Sequence, residues 1–93
     1  MKISANTAVK SQLSTLPQRD QDYVMSMLSS LPANLAGSDH VKRIPGDDAL
    51  YEIRVTSRLR ALVRFKKDQN QVELLAIARP DQIERYISVK RAV

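Results

Sequence analysis

The side-chain period changes once along this chain, and that change limits the fold more than any other feature. Between Thr7 and Leu31 the apolar residues follow helical spacing, with Val9, Leu13 and Leu16 on one stripe. Tyr23, Val24, Met27, Leu28 and Leu31 form a second stripe. From Val41 onward the period falls to two. Tyr51, Ile53 and Val55 alternate with Glu52 and Arg54, and then Ala61, Val63 and Phe65 alternate with Arg60, Leu62 and Arg64. Successive residues of a strand point to opposite faces of its sheet, so each stretch has an apolar face and an arginine-bearing face.

Local signals set the boundaries. Met1–Asn6 reads as a short first strand, and Asn6 or Thr7 caps a helix running to about Thr15. Pro17 suits the first turn of a second helix, Asp20 and Asp22 favour its positive end, and Pro32 stops it. A loop follows from Pro32 to His40, then a short strand over Val41–Ile44 and a turn at Pro45-Gly46-Asp47-Asp48. Ala49–Val55, Arg60–Lys66 and Gln71–Ala78 are successive strands, with turns at Thr56–Leu59 and Asp68-Gln69-Asn70. The last of these carries Val72, Leu74, Leu75 and Ile77, the composition of a well-covered strand. Pro80 opens a final helix, with Asp81 and Glu84 in its first turn and Lys90 and Arg91 in its last. The expected class is α+β: a short N-terminal strand, two helices, a three-stranded antiparallel meander completing one sheet, and a short C-terminal helix. The 93 residues are read as one domain.

Charge separates the two halves. Residues 1–39 hold three basic and three acidic residues, whereas residues 40–93 hold 12 basic and 7 acidic ones, the whole of the net charge of +5. A cationic half suggests a polyanionic partner, most simply nucleic acid, although a solvated surface gives the same count. The strand pattern separates these readings. The apolar face must meet the helices, which leaves Arg54, Arg60 and Arg64 sharing an open face. Like charges on one sheet face repel unless something anionic sits among them. That face is therefore expected to bind anions, with Lys42 and Arg43 contacting phosphates beside it. His40 is the only histidine, an acid–base candidate or a plain surface residue.

Other classes are disfavoured. The chain has no cysteine, hence no disulfide and no thiolate metal site. No stretch approaches the roughly 20 apolar residues of a membrane span, and no apolar run follows Lys2 to make a signal peptide. The expected setting is the cytoplasm. No glycine-rich phosphate loop or ligand cluster calls for a metal or another cofactor.

Tyr51-Glu52-Ile53-Arg54-Val55, Leu59-Arg60-Ala61-Leu62-Val63, Leu75-Ala76-Ile77-Ala78-Arg79 and the later Tyr86 resemble, in order and spacing, the RelE/ParE toxin superfamily of bacterial toxin–antitoxin systems. Lys42-Arg43-Ile44 with Gly46 resembles the family's short strand and turn. The resemblance implies a toxin that cleaves messenger RNA on the ribosome without a metal, through in-line attack of a 2′-hydroxyl on the adjacent phosphate, and that is neutralised by an antitoxin. It implies a catalytic set of Glu52, Arg54, Arg60, Arg79 and Tyr86, with Arg54 as the basic residue of the second strand, Arg60 on the phosphate, Arg79 as the arginine ending the last strand, and Tyr86 stacking on a base or assisting proton transfer. Lys42, Arg43 and Arg64 would hold RNA. Glu52 stands where RelE has a lysine, and is either a base or an ion-pair partner. Tyr86 also shares helical spacing with Ile83 and Ile87, which fits packing, and an arginine in the position of Arg79 can cap carbonyls instead. The same architecture in ParE members inhibits DNA gyrase, and a non-catalytic RNA- or antitoxin-binding module is a third reading.

Overall fold

The computed structural model describes residues 2–31, 40–46 and 49–91. The expected loop from Pro32 and the Asp47-Asp48 part of the turn lie outside these residues, as do the side chains of Lys90 and Arg91. The elements run β1 (Lys2–Ala5), α1 (Thr7–Ser14), α2 (Gln18–Ser29), β2 (Val41–Arg43), β3 (Leu50–Thr56), β4 (Leu59–Lys66), β5 (Gln71–Ala78) and α3 (Pro80–Arg91). The class expected from the sequence is the one observed. The meander β3-β4-β5 is extended by β2 on one side and β1 on the other, in the order β1-β5-β4-β3-β2. All pairs are antiparallel except β1–β5, which is parallel.

Short-range chemistry fixes the ends of these elements. Asn6 is extended, and its Oδ1 accepts the Val9 N–H at 2.8 Å, so it supplies the N-cap of α1. Asn6→Ala is expected to cost about 1 kcal/mol in urea unfolding; an unchanged midpoint would show that the cap contributes nothing. Pro17 precedes α2, and its carbonyl accepts the N–H groups of Asp20 and Gln21. Asn70, at φ 47, turns the chain from a single 3-10 turn into β5. At α3, Gln82 Oε1 accepts the Arg79 N–H at 3.2 Å while the Arg79 carbonyl accepts the N–H groups of Gln82 and Ile83.

Two cores sandwich the sheet. On the first face, Val9, Val24, Leu28 and Leu31 pack against Ile53, Val55, Ala61, Val63, Val72, Leu74 and Ile77. Tyr23 departs from its expected place in the α2 stripe and is 39% exposed. The second face is not open, as the alternation suggested. Leu50 and Leu62 stand on it beside the arginines, and α3 lies over them through Ile83, with Tyr86 and Ile87 alongside. Leu62 is completely buried there. The cause lies in β4 itself: Leu62 interrupts the arginines of its own face, and an apolar side chain at the middle of a sheet needs a cover. β4 therefore runs Ala61-Leu62-Val63 buried on both sides.

Candidate cation-lined site

With α3 over its centre, the second face keeps an open corner toward β2, and several charged side chains meet there. A hollow of about 210 Å³ is lined by His40, Lys42, Glu52, Arg54 and Arg60. Register explains the grouping. Arg54 lies directly opposite Arg60, and Lys42 directly opposite Glu52, so four alternating positions on β2, β3 and β4 converge on one face. The Arg54 N–H donates to the His40 carbonyl at 2.7 Å, extending the β2–β3 ladder by one bond and setting His40 at the rim.

The two arginines are held differently. Arg60 is mostly buried, and its Nη1 donates to the Thr56 carbonyl at 2.6 Å, across the hairpin that joins β3 to β4. Its Nε lies 3.5 Å from Glu52 Oε1. Arg54 and Lys42 are exposed. Two guanidinium groups on directly opposed positions repel, and the Glu52 carboxylate offsets that repulsion. This accounts for an acid where the resemblance leads one to expect a cation. Three cations against one carboxylate leave the lysine, arginine and glutamate side chains of the hollow at a formal +2. The chemistry of this lining suits an anion: Arg54 and Lys42 are exposed cations, and Arg60 is a charge held in place by Thr56 and Glu52.

The other residues singled out from the sequence do not line this hollow. Arg43 alternates to the opposite face, beside Tyr51. Arg64 is separated from Arg60 along the face by buried Leu62, with Leu50 opposite it on β3 and Glu73 opposite it on β5. Arg79 is exposed at the β5–α3 junction, and its Nε lies 3.8 Å from Asp81 Oδ1. Asp81 also meets Arg85 at 3.1 Å. Desolvation acts upward on the Asp81 carboxyl, but its hydrogen bonds and the charges of Arg79 and Arg85 together hold it below its usual range. Tyr86 is half-buried and lines a separate hollow of about 420 Å³ between α1 and α3. His40 is the residue that sequence pattern undervalued, since its place depends on a ladder bond formed only when β2 meets β3.

Among the described residues no group of histidine, cysteine and carboxylate side chains is placed to hold a metal ion. No described helix is long and apolar enough to cross a membrane.

No protein-family profile matches the chain, and no curated relative matches it in sequence. Its fold does match solved structures. Toxin RelE of E. coli in the free state, as a double arginine-to-alanine mutant, superposes with a TM-score of 0.73 at 15% identity, covering 99% of this chain and 97% of that one. A YoeB/ParE toxin from Agrobacterium tumefaciens gives 0.69 at 14% identity over 85% of this chain and 98% of that one. The toxin–antitoxin complex RelBE2 from Mycobacterium tuberculosis gives 0.62 at 18% identity over 84% of this chain and 95% of the matched chain. The strand order, the helical layer on one face and the single helix on the other thus form a RelE-like toxin fold.

Proposed function

We propose that this protein is a toxin of the RelE kind that binds messenger RNA through the hollow at Lys42, Arg54 and Arg60, cleaves it on the ribosome, and is neutralised by an antitoxin. The observation that carries the reading is the convergence of those three cations with Glu52 and His40 in one open hollow. The fold-sharing structures add support, since they are toxins and several were solved with an antitoxin. In the reaction the 2′-hydroxyl oxygen attacks the neighbouring phosphorus. The bond to the 5′-oxygen breaks as that oxygen takes a proton from solvent water, leaving a cyclic phosphate and a free 5′-hydroxyl; the proton removed from the 2′-hydroxyl returns to solvent from the base. Arg54 and Lys42 neutralise the phosphate as negative charge builds. Glu52 or His40 takes the 2′-hydroxyl proton.

One observation favours a second reading, in which the hollow binds RNA without cutting it. Arg79 and Tyr86, which the resemblance would place in the catalytic set, lie outside it. Purified protein in a reconstituted translation reaction, with messenger RNA ends mapped, distinguishes these. New 5′ ends within ribosome-bound message support cleavage. Arrest of translation with intact message supports binding alone. Inhibition of gyrase supercoiling with normal translation would overturn both in favour of a ParE-like target.

Glu52 gives a sharper test because its two roles have opposite consequences. Glu52→Gln removes the charge that competes with phosphate for Arg60, and RNA affinity should rise about fivefold, roughly 1 kcal/mol for a part-exposed pair. If Glu52 is also the base, cleavage falls while binding rises. Weaker binding by the variant would contradict the ion-pair role.

A further inference from the structure

A second hollow adjoins the cation-lined one. It has a volume of about 310 Å³, lies between β2 and α3, and shares Lys42 and Glu52 with its neighbour. The shared residues place the two hollows side by side, close enough for neighbouring groups of one nucleotide. Their chemistry differs. The first is cationic, whereas Ile44, Pro45 and Ile87 give the second apolar walls and Glu84 and Ser88 add a carboxylate and a hydroxyl from the exposed face of α3. Glu84 and Ser88 are four residues apart, and so sit one above the other on the helix.

We infer that this second hollow is a nucleobase pocket, selective for guanine, for a nucleotide whose phosphate occupies the cationic hollow; the inference rests on the RNA-binding reading above. Two carboxylates in the lining disfavour a second phosphate there. An ionised carboxylate only accepts hydrogen bonds. Guanine alone among the four bases presents two adjacent N–H donors, the imino and amino groups of one edge, matching the two oxygens of a carboxylate. Adenine and cytosine place an acceptor nitrogen beside their amino group, and uracil flanks its imino group with two carbonyl oxygens. A carboxylate repels each of those acceptors. Glu84 receives the guanine edge, the Ser88 hydroxyl donates to a ring acceptor, and Ile44, Pro45 and Ile87 cover the faces of the ring. The volume falls at the lower end of the range for small-molecule pockets, as suits a single base. Selectivity thus comes from α3 and the phosphate contact from the sheet.

The test uses four fluorescein-labelled 2′-O-methyl trinucleotides, which cannot be cleaved: UGU, UAU, UCU and UUU. Fluorescence anisotropy with the full chain should show UGU binding about tenfold more tightly than the others, the discrimination typical of a good bidentate base contact. Glu84→Gln should reduce that preference to less than threefold, with UGU binding weakened and UUU binding equal or tighter, because the neutral amide no longer repels the uracil carbonyls. Arg54→Ala should weaken all four by a similar factor and keep the preference. Equal binding of all four by the wild-type chain, or an undiminished preference in Glu84→Gln, would overturn the guanine pocket and leave the RNA interface standing. Failure of the wild type to bind all four trinucleotides and a longer uridine oligomer would overturn the RNA interface, and this pocket with it.

Discussion

Replacing Leu62 with alanine is expected to destabilise the protein by about 2–5 kcal/mol, the range for a large buried side chain truncated in place. Total stabilities of small domains run about 5–15 kcal/mol, so this is a large fraction. Leu62 is completely buried between the sheet and α3, in a cluster with Ile44, Leu50 and Ile83 as the other buried members. Four buried side chains make a small core with little capacity to repack around a void. The loss should fall unevenly. The larger core beneath α1 and α2 does not include Leu62, so its strands keep most of their packing. Amide hydrogens of α3 should therefore exchange faster than those of α2 in the variant, and urea unfolding should give the total loss. Leu62→Met, which conserves volume, should cost less than about 1.5 kcal/mol. A loss below 1 kcal/mol for the alanine variant would mean that α3 is not held as described. The proposed base pocket shares this packing, because Ile44 and Ile87 of the same region also wall the second hollow.

Arg54→Ala should lower affinity for single-stranded RNA roughly tenfold, or about 1.4 kcal/mol, the low end for a lost charge-assisted hydrogen bond. Arg54 is exposed on the hollow, whereas Arg60 is tied to Thr56 and Glu52. Removing Arg54 therefore takes away a phosphate contact with little cost to the fold. The slope of log affinity against log salt should become shallower by about 0.7, the value for one phosphate contact on a single strand. Arg60→Ala should weaken binding too, but with a loss of stability, because it also leaves the Thr56 carbonyl and Glu52 without their partner. The two arginines thus separate by their unfolding curves. Equal affinity and equal slope for Arg54→Ala and wild type would contradict the phosphate role.

The sequence carried the architecture in its periods and punctuation. Asn6, Pro17, Pro45-Gly46, Asn70 and Pro80 each act through their own backbone or a neighbour within a few residues, so their effects are legible locally. Gln71–Ala78 matches β5 for the same reason. The site was legible only in part. Alternation along β3 and β4 put Arg54 and Arg60 on one face, and register then set them directly opposite. Alternation also placed Leu62 on that face, yet nothing local says that an apolar residue among arginines will draw a helix over itself. That long-range cover turns an open arginine face into a corner hollow, and it parts Arg64 from Arg60. Tyr86 followed the same logic in reverse. Its helical spacing with Ile83 and Ile87 fitted packing as well as chemistry, and it sits on the underside of α3. Glu52 looked anomalous against the RelE pattern until the pairing of Arg54 with Arg60 gave its charge a purpose.

The central claim is that RNA phosphates enter the corner hollow formed by β2, β3 and β4. Backbone amide shifts of the labelled protein, followed during titration with a 2′-O-methyl RNA oligomer, test it most directly. The largest changes should fall on His40 to Lys42, Glu52 to Arg54 and Arg60, with the amides of α1 and α2 unmoved. Changes concentrated on α1 and α2, with those three segments silent, would contradict it.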